Sequence, residues 1–173
     1  MFESKIKKMR ICEGQNEILR IKAIIPSNEK YPRISGFYED ISEKAIRFCA
    51  KNVGEQARAD YTESRANGTF PARYYYSLFC DLIFMNDEIA VVRIRVELKR
   101  GNTLLDSASD TQWWELESEK MIPAKIALKE HFEWQKDFGK IRRKTHVDLE
   151  EKGVFALLRG KRRYLGDLIE KSQ

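Results

Sequence analysis

The sequence has no long hydrophobic run and few of the features that mark secreted or membrane proteins. No apolar stretch approaches the ~20 residues that a membrane-spanning helix needs, so we expect no transmembrane segment. The N-terminal stretch MFESKIKKMRIC has cations but no apolar segment after them, unlike a signal peptide. The three cysteines are odd in number and form no CxxC pair, which argues against a disulfide scaffold. We therefore expect a cytoplasmic protein, or an extracytoplasmic one if the sequence is a trimmed piece of a longer chain.

The patterns of common active sites are absent as well. There is no GxxxxGK[ST] or GxGxxG phosphate-binding loop and no GxSxG nucleophile motif. The EHFE cluster around His131 does not place its ligands on one helix face, so we expect no metal site. An enzyme would have to use the carboxylate pair Asp106 and Asp110, or Cys80. Because no catalytic constellation surrounds these residues, we expect a protein that is not an enzyme and has no cofactor.

The charge is unevenly distributed along the 173 residues. Charged residues make up 34% and hydrophobic residues 42%, which is typical of a soluble domain with a core. Residues 1–139 contain 22 basic and 22 acidic residues, whereas residues 140–173 contain ten basic and five acidic ones. The net charge of +5 therefore belongs to the last 34 residues. We predict an α+β domain over 1–139 and a basic helical extension over 140–173.

Period-two and helical patterns predict the elements of the first domain. Apolar residues alternate with polar ones in four stretches, and a stripe at spacings of three and four separates the first stretch from the others. Turns are expected at Asn86-Asp87 and Gly101-Asn102. The predicted strands cover 17–26, 74–84, 89–98 and 107–116, and the predicted helix covers 38–64.

These elements predict a mostly antiparallel four-stranded sheet with one long helix packed on one face. We expect Phe48 and Val53 of the helix to lie against the apolar face of the strand at 89–98. Gly54 falls within the helical stripe, where it costs about 1 kcal/mol relative to alanine and could mark a bend. In the tail, helices are expected after Pro123 and around two apolar clusters near Gly160, forming a C-terminal helical appendage.

The stretch ARYYYSLFCDLIFMNDEIAVVRIRVELKRGN holds the first candidate site. Tyr75 and Phe79 share one strand face, and Arg93 and Arg95 lie on the mixed face of the next strand. Aromatic rings beside cations can bind a protein partner, or stack on nucleic acid bases. Cations on a solvent-facing sheet also commonly form weak cross-strand pairs, and these residues could do no more than that.

The basic extension holds the second candidate site. Its cations could contact phosphates of nucleic acid. The same segment could lie on a membrane surface, with Phe155 and Leu157 entering the headgroup region, or dock its leucines on the domain. The candidate anion or nucleic-acid contacts are Lys140, Arg142, Arg143, Lys144, Arg159, Lys161, Arg162 and Arg163.

The order of elements resembles a known family. A strand is followed by YPRISGFYEDISEKA, a long helix, a tyrosine-rich strand, two more strands and WWELESEKMIPAKIALKEHF. Over about residues 17–138 this resembles a bacterial domain of unknown function. That domain occurs beside polysaccharide deacetylases and in the ectodomains of lysozyme-sensing anti-sigma factors. The matching residues are Tyr31-Pro32, Tyr74–Tyr76, Trp113–Leu116 and Leu128–Phe132.

The resemblance implies a helix packed on an antiparallel sheet and a non-catalytic binding role. In the anti-sigma relatives the partner is lysozyme, but no family contact residue maps onto this sequence. We therefore predict a non-enzymatic binding or regulatory domain with an unknown partner, most simply a protein. The alternative is a nucleic-acid-associated protein that uses the basic C-terminal extension.

Overall fold

The computed structural model describes residues 2–124, 126, 127, 146–150, 153–158 and 161–166. The elements follow one another as β1 (Glu3–Glu13), β2 (Asn16–Ser27), α1 (Pro32–Ala66), β3 (Tyr74–Met85), β4 (Ile89–Arg100), β5 (Thr103–Glu115), β6 (Lys120–Ile122), β7 (His146–Glu150), β8 (Gly153–Leu158) and β9 (Lys161–Gly166).

The first six strands form one mixed sheet in the order β1-β2-β3-β4-β5-β6. β1 and β2 are antiparallel, whereas β2 and β3 are parallel because α1 carries the chain back between them. The fold is α+β, but the prediction of a four-stranded, mostly antiparallel sheet is wrong. It lacked β1 and β6 and did not foresee the parallel pair.

The strands predicted at 17–26, 74–84 and 89–98 are confirmed as β2, β3 and β4. The turn at Asn86 is confirmed too, because its Oδ1 accepts hydrogen bonds from the backbone N–H groups of Glu88 (2.9 Å) and Ile89 (2.7 Å). β5 begins at Thr103, immediately after the predicted turn at Gly101, whose φ of +58° suits glycine.

α1 begins six residues before the predicted start, because Pro32 opens the helix instead of prolonging the loop. Its buried side runs through Ile34, Tyr38, Cys49 and Ala57. Phe48 is 66% exposed, so the prediction that it packs on the sheet is wrong. It lies one residue away from the buried Cys49, and a shift of one residue turns a helical side chain by about 100°.

The chain forms two compact units, Met1–Asp81 with Arg93–Asp110, and Leu82–Val92 with Thr111–Gln173. In the first unit, Leu19 and Ile21 of β2 pack with Cys49 and Ala57 of α1 and with Tyr74 of β3. In the second unit, the four consecutive residues of 89–92 are all buried, which means that both faces of β4 are covered there. Trp113 and Trp114 are buried in that unit as well.

The predicted C-terminal helical appendage is wrong. β7, β8 and β9 form a separate three-stranded antiparallel sheet. A short apolar run such as residues 154–158 does not distinguish a strand from an amphipathic helix, which explains the error. Of the helix predicted after Pro123, residues 124, 126 and 127 are helical, and the remainder lies outside the described residues.

Candidate binding face

The side of β1, β2 and β3 that faces away from α1 carries most of the cations of these strands. Leu19, Ile21 and Ala23 of β2 point toward the helix and are buried. Side chains alternate along a strand, so the even-numbered residues of β2 point to the opposite side. We call this side the cationic face; it consists of Ile6, Lys8, Arg10, Arg20, Lys22, Ile24, Tyr75, Ser77 and Phe79.

Strand register arranges the cationic face in three rows. Each row takes one residue from β1, one from β2 and one from β3, and successive rows are about 6.8 Å apart along the strands. The first two rows place like charges directly opposite each other. The rows are Arg10, Arg20 and Tyr75; then Lys8, Lys22 and Ser77; then Ile6, Ile24 and Phe79.

Glu17 partly neutralises the first row. Its carboxylate lies 2.7 Å from Arg20 Nε, 3.3 Å from Arg10 Nε and 3.4 Å from Arg73 Nη1. The hydrogen bond from Arg20 lowers the pKa of Glu17 and outweighs the effect of burial, which acts to raise it. One carboxylate therefore pairs with three guanidinium groups, so the row keeps an excess of positive charge.

The second row has no neutralising acid in the part of the chain that the structure describes. Neither Lys8 nor Lys22 forms an ion pair or hydrogen bond there through its ammonium group. On the helix side of the same strand the situation is different. Lys7 Nζ lies 2.8 Å from Glu39 and 3.4 Å from Glu43. The face turned away from α1 is therefore the one with unneutralised charge.

Three of the four predicted partner-binding residues come together at the third row. The Arg95 guanidinium lies 5.1 Å from the centre of the Phe79 ring. Arg95 Nη2 lies 3.5 Å from Asp81 Oδ2, and Arg93 Nη2 lies 4.0 Å from the same oxygen. Arg93 and Arg95 thus share the Asp81 carboxylate, and Arg95 also lies over the Phe79 ring. Whether they bind a partner stays a prediction.

Tyr75 belongs to the first row, and two guanidinium groups accompany its ring. The centres of the Arg20 and Arg73 guanidinium groups lie 6.0 and 5.9 Å from the ring centre. Ile83, later on the same strand, is buried and so adds no exposed apolar surface. The surface around these aromatics is therefore cationic more than apolar.

Sequence reasoning missed the largest part of the cationic face. The polar side of β2 was visible as Arg20 and Lys22, but β1 was not recognised, and so Lys8 and Arg10 had no neighbours. The cation-x-cation spacing would have revealed them, because it occurs at Lys8 and Arg10 and again at Arg20 and Lys22. The two strands that carry these pairs are joined by a tight turn at Gly14.

The other candidate residues are dispersed. Asp106 and Asp110 are exposed on β5. Cys49 and Cys80 are buried, and desolvation raises the pKa of each thiol to about 12. Within the described ranges, no group of acidic, cysteine or histidine side chains is arranged to hold a metal ion.

The basic extension is described only in part. Lys161, Arg162 and Arg163 lie on β9. The other predicted anion contacts, Lys140, Arg142, Arg143, Lys144 and Arg159, lie outside the described residues. Among the helical residues that the structure describes, none belongs to a segment apolar and long enough to traverse a bilayer.

Comparison with solved structures shows a likeness of fold. A member of the DUF3298 family from Bacteroides fragilis matches with a TM-score of 0.51 and 12% identity, covering 90% of this chain and 81% of that one. A DUF3298 family protein from Pseudomonas aeruginosa matches with a TM-score of 0.46 and 13% identity, over 90% and 79% of the two chains. No protein-family model matches the sequence, and no curated protein does.

The fold of this chain is thus similar to that of a family of unknown function. This agrees with the coarser part of the sequence resemblance, a domain of unknown function. The finding does not extend to deacetylases or anti-sigma factors.

Proposed function

We propose that this chain is a non-enzymatic binding domain and that the cationic face contacts an anionic partner. The observation that carries the proposal is that two successive rows place like charges directly opposite each other, Lys8 opposite Lys22 and Arg10 opposite Arg20. Like charges directly opposite each other destabilise a sheet. An anionic partner would remove this repulsion, which gives the arrangement a physical purpose.

Exposure supports the same role. The side chain of Arg10 is 65% exposed and that of Arg20 is 44% exposed, so both guanidinium groups are within reach of a ligand. A cation row of this kind accelerates the encounter with an anionic partner and selects against cationic ones.

The thiols favour binding over catalysis. A nucleophilic cysteine needs a lowered pKa, because the thiolate is the reactive form. At a pKa of about 12, Cys49 and Cys80 are protonated at neutral pH. The non-catalytic role implied by the resemblance to domains beside polysaccharide deacetylases and in anti-sigma factor ectodomains belongs to this proposal, without any contact residue carried over.

The test uses retention on a heparin column with elution by salt. The variant Lys8→Glu/Lys22→Glu reverses the second row. The control Lys44→Glu/Lys51→Glu makes the same change of charge on exposed positions of α1. We expect the first variant to elute at much lower salt than the control. Equal shifts for the two variants would mean that net charge alone governs retention, and the proposed face would be wrong.

A second candidate function is nucleic-acid binding by the C-terminal cations. The observation in its favour is the run of three consecutive cations on β9. Binding of a labelled single-stranded oligonucleotide should then fall steeply with salt and be lost in Lys161→Glu/Arg163→Glu. Unchanged binding in that variant would remove this candidate.

A further inference from the structure

β1 is the edge strand of the six-stranded sheet. It pairs with β2 from Glu3 opposite Ser27 to Glu13 opposite Asn16, and within the described residues no strand lies along its other edge. Most of its eleven residues are exposed. Every second residue of an antiparallel edge strand directs its backbone N–H and C=O outward, so β1 offers a row of hydrogen-bonding groups to another chain.

Cations on an edge strand can simply prevent aggregation, and this reading accounts for Lys8 and Arg10 alone. It does not account for Arg20 and Lys22, because β2 lies inside the sheet and has no edge to protect. Placing cations on β2 opposite those of β1 only increases the repulsion. The placement of cations opposite each other on β1 and β2 therefore indicates that this face binds a ligand.

We infer that the partner is an acidic peptide segment that adds to β1 as a further strand, an inference that rests on the proposed function. Its acidic side chains would stand two positions apart, beside Arg10 and Lys8, and an apolar side chain two positions further would lie beside Ile6. The spacing matches because the partner strand and β1 share the same repeat along the strand. Strand addition also satisfies the backbone groups of the peptide.

The other side of the added strand would meet a different surface. Lys5 and Lys7 of β1 point to the helix side, where Glu39 already pairs with both, at 3.1 and 2.8 Å. Acids at the intervening peptide positions would therefore face neutralised lysines and the Glu39 carboxylate. This restricts acids to alternate positions, and for a peptide that runs antiparallel to β1 the predicted motif is acid-x-acid-x-apolar with neutral residues between.

Nucleic acid fits the cationic face less well. Bases bind to single-stranded sites by stacking on aromatic rings. The Tyr75 ring already has two guanidinium groups near it, and the Phe79 ring has that of Arg95. A second copy of this chain fits poorly as well, because joining two β1 strands would bring the same cations together.

Three synthetic peptides test the inference against the full chain by isothermal titration calorimetry. The first has the acid-x-acid-x-apolar pattern. The second has the same composition with its two acids adjacent, so that they point to opposite sides. The third keeps the pattern but is N-methylated at alternate backbone amides. We expect the first to bind about fivefold more tightly than the second, since one cross-strand ion pair distinguishes them. The third should lose binding, and the first should slow amide exchange at alternate β1 positions.

A charge-swap variant provides the matched control. Lys8→Glu/Arg10→Glu/Arg20→Glu/Lys22→Glu reverses both cross-strand pairs, so it should lose the patterned peptide and gain a peptide with lysines at the two acid positions. Binding of that swapped peptide would also show that the variant is folded. A variant that binds neither peptide while its circular dichroism is unchanged would contradict the inference.

The outcomes separate the two proposals. If all three peptides bind equally while heparin retention still depends on Lys8 and Lys22, strand addition is wrong and the binding face stands. If no peptide binds but single-stranded DNA does, the occupant is nucleic acid and the inference is overturned. If heparin retention does not depend on the face either, both proposals fail.

Discussion

Asp60 near the end of α1 has a buried carboxylate with three polar contacts. Tyr74 Oη donates a 2.7 Å hydrogen bond to Oδ2, Gln56 Nε2 donates a 2.7 Å bond to Oδ1, and Arg100 Nη2 lies 2.9 Å from Oδ2. The Arg100 guanidinium also lies over the Tyr74 ring at 5.8 Å. These contacts tie the helix to β3 and β4 within the first compact unit.

Removing this carboxylate should destabilise the fold. Asp60→Ala leaves the buried Tyr74 hydroxyl without its acceptor, and we expect a loss of about 2 kcal/mol in the free energy of unfolding. Tyr74→Phe should lose about 1 kcal/mol. Urea unfolding measures both changes. The control Asp40→Ala removes an exposed acid of the same helix and should change stability by less than about 0.5 kcal/mol. Equal effects at the two positions would contradict the importance of the network.

The three cysteines should react at very different rates. Cys12 is exposed, whereas Cys49 and Cys80 are buried thiols with a pKa of about 12. A thiol reagent at neutral pH should modify one cysteine quickly and the other two only when the chain unfolds. Mass spectrometry of the labelled chain, with a denatured sample as the reference, identifies the site. Rapid labelling of Cys80 in the folded protein would be inconsistent with this structure.

For individual residues, the sequence predicted which side chains are buried better than which side chains pair with each other. Tyr74 shares a strand face with the apolar residues Leu78 and Cys80, a pattern that predicts burial, and it is buried. Glu17 of β2 pairs with Arg73, which directly precedes β3, and Asp60 of α1 pairs with Arg100 of β4. The first of these pairs depends on the parallel register of β2 and β3, which no local pattern reveals.

At the scale of the elements, Gly54 explains how α1 approaches β1. The helix continues through Gly54, and a Cβ at this position would lie 3.0 Å from Cδ1 of Ile11. The residue predicted to mark a bend instead allows a close contact. Gly36, near the start of the same helix, has no atom within 4 Å of such a Cβ.

The two glycines should therefore respond differently to alanine. Gly36→Ala should raise the free energy of unfolding by about 1 kcal/mol, through helix propensity alone. Gly54→Ala should gain less, because the new methyl group crowds Ile11. Adding Ile11→Val to Gly54→Ala should recover part of the gain, which a double-mutant cycle would measure. Equal gains at both glycines would mean that the contact with Ile11 is unimportant.

Elements with an apolar side were predictable, and elements without one were not. β2 and β3 have apolar faces that alternate clearly with polar residues. β1 carries charges on both sides because both are largely exposed, so it shows no strand pattern. The start of α1 was not predicted as helical because it contains Pro32 and Gly36, although proline is favourable at the start of a helix.

For the molecule as a whole, the paired carboxylates predict sensitivity to acid. Hydrogen bonds from Arg20 and Lys7 lower the pKa values of Glu17 and Glu39 against the opposing effect of burial. Burial raises the pKa of Asp60, but the Tyr74 and Gln56 hydrogen bonds and the Arg100 charge outweigh it, and the net shift is downward.

A carboxylate whose pKa is lower in the folded than in the unfolded state stabilises the fold at pH values above its unfolded pKa of about 4. That contribution is lost as the pH falls through the pKa of the folded state. The free energy of unfolding should therefore be constant near neutral pH and decrease below about pH 4. Urea titrations over this range measure the decrease, which should be shallower in Asp60→Asn. A variant with the unchanged slope would show that Asp60 does not contribute.

The parallel contact between β2 and β3 also sets an order of assembly. β1 and β2 are neighbours in sequence and can pair as soon as both exist. β3 can join only after α1 has returned the chain to the sheet, so the contact between β2 and β3 forms more slowly. In refolding experiments with pulsed hydrogen exchange, we expect amides between β1 and β2 to be protected before those between β2 and β3. On a ribosome, the hairpin of β1 and β2 would emerge before β3, and both of its edges would stay unpaired until the third strand arrived.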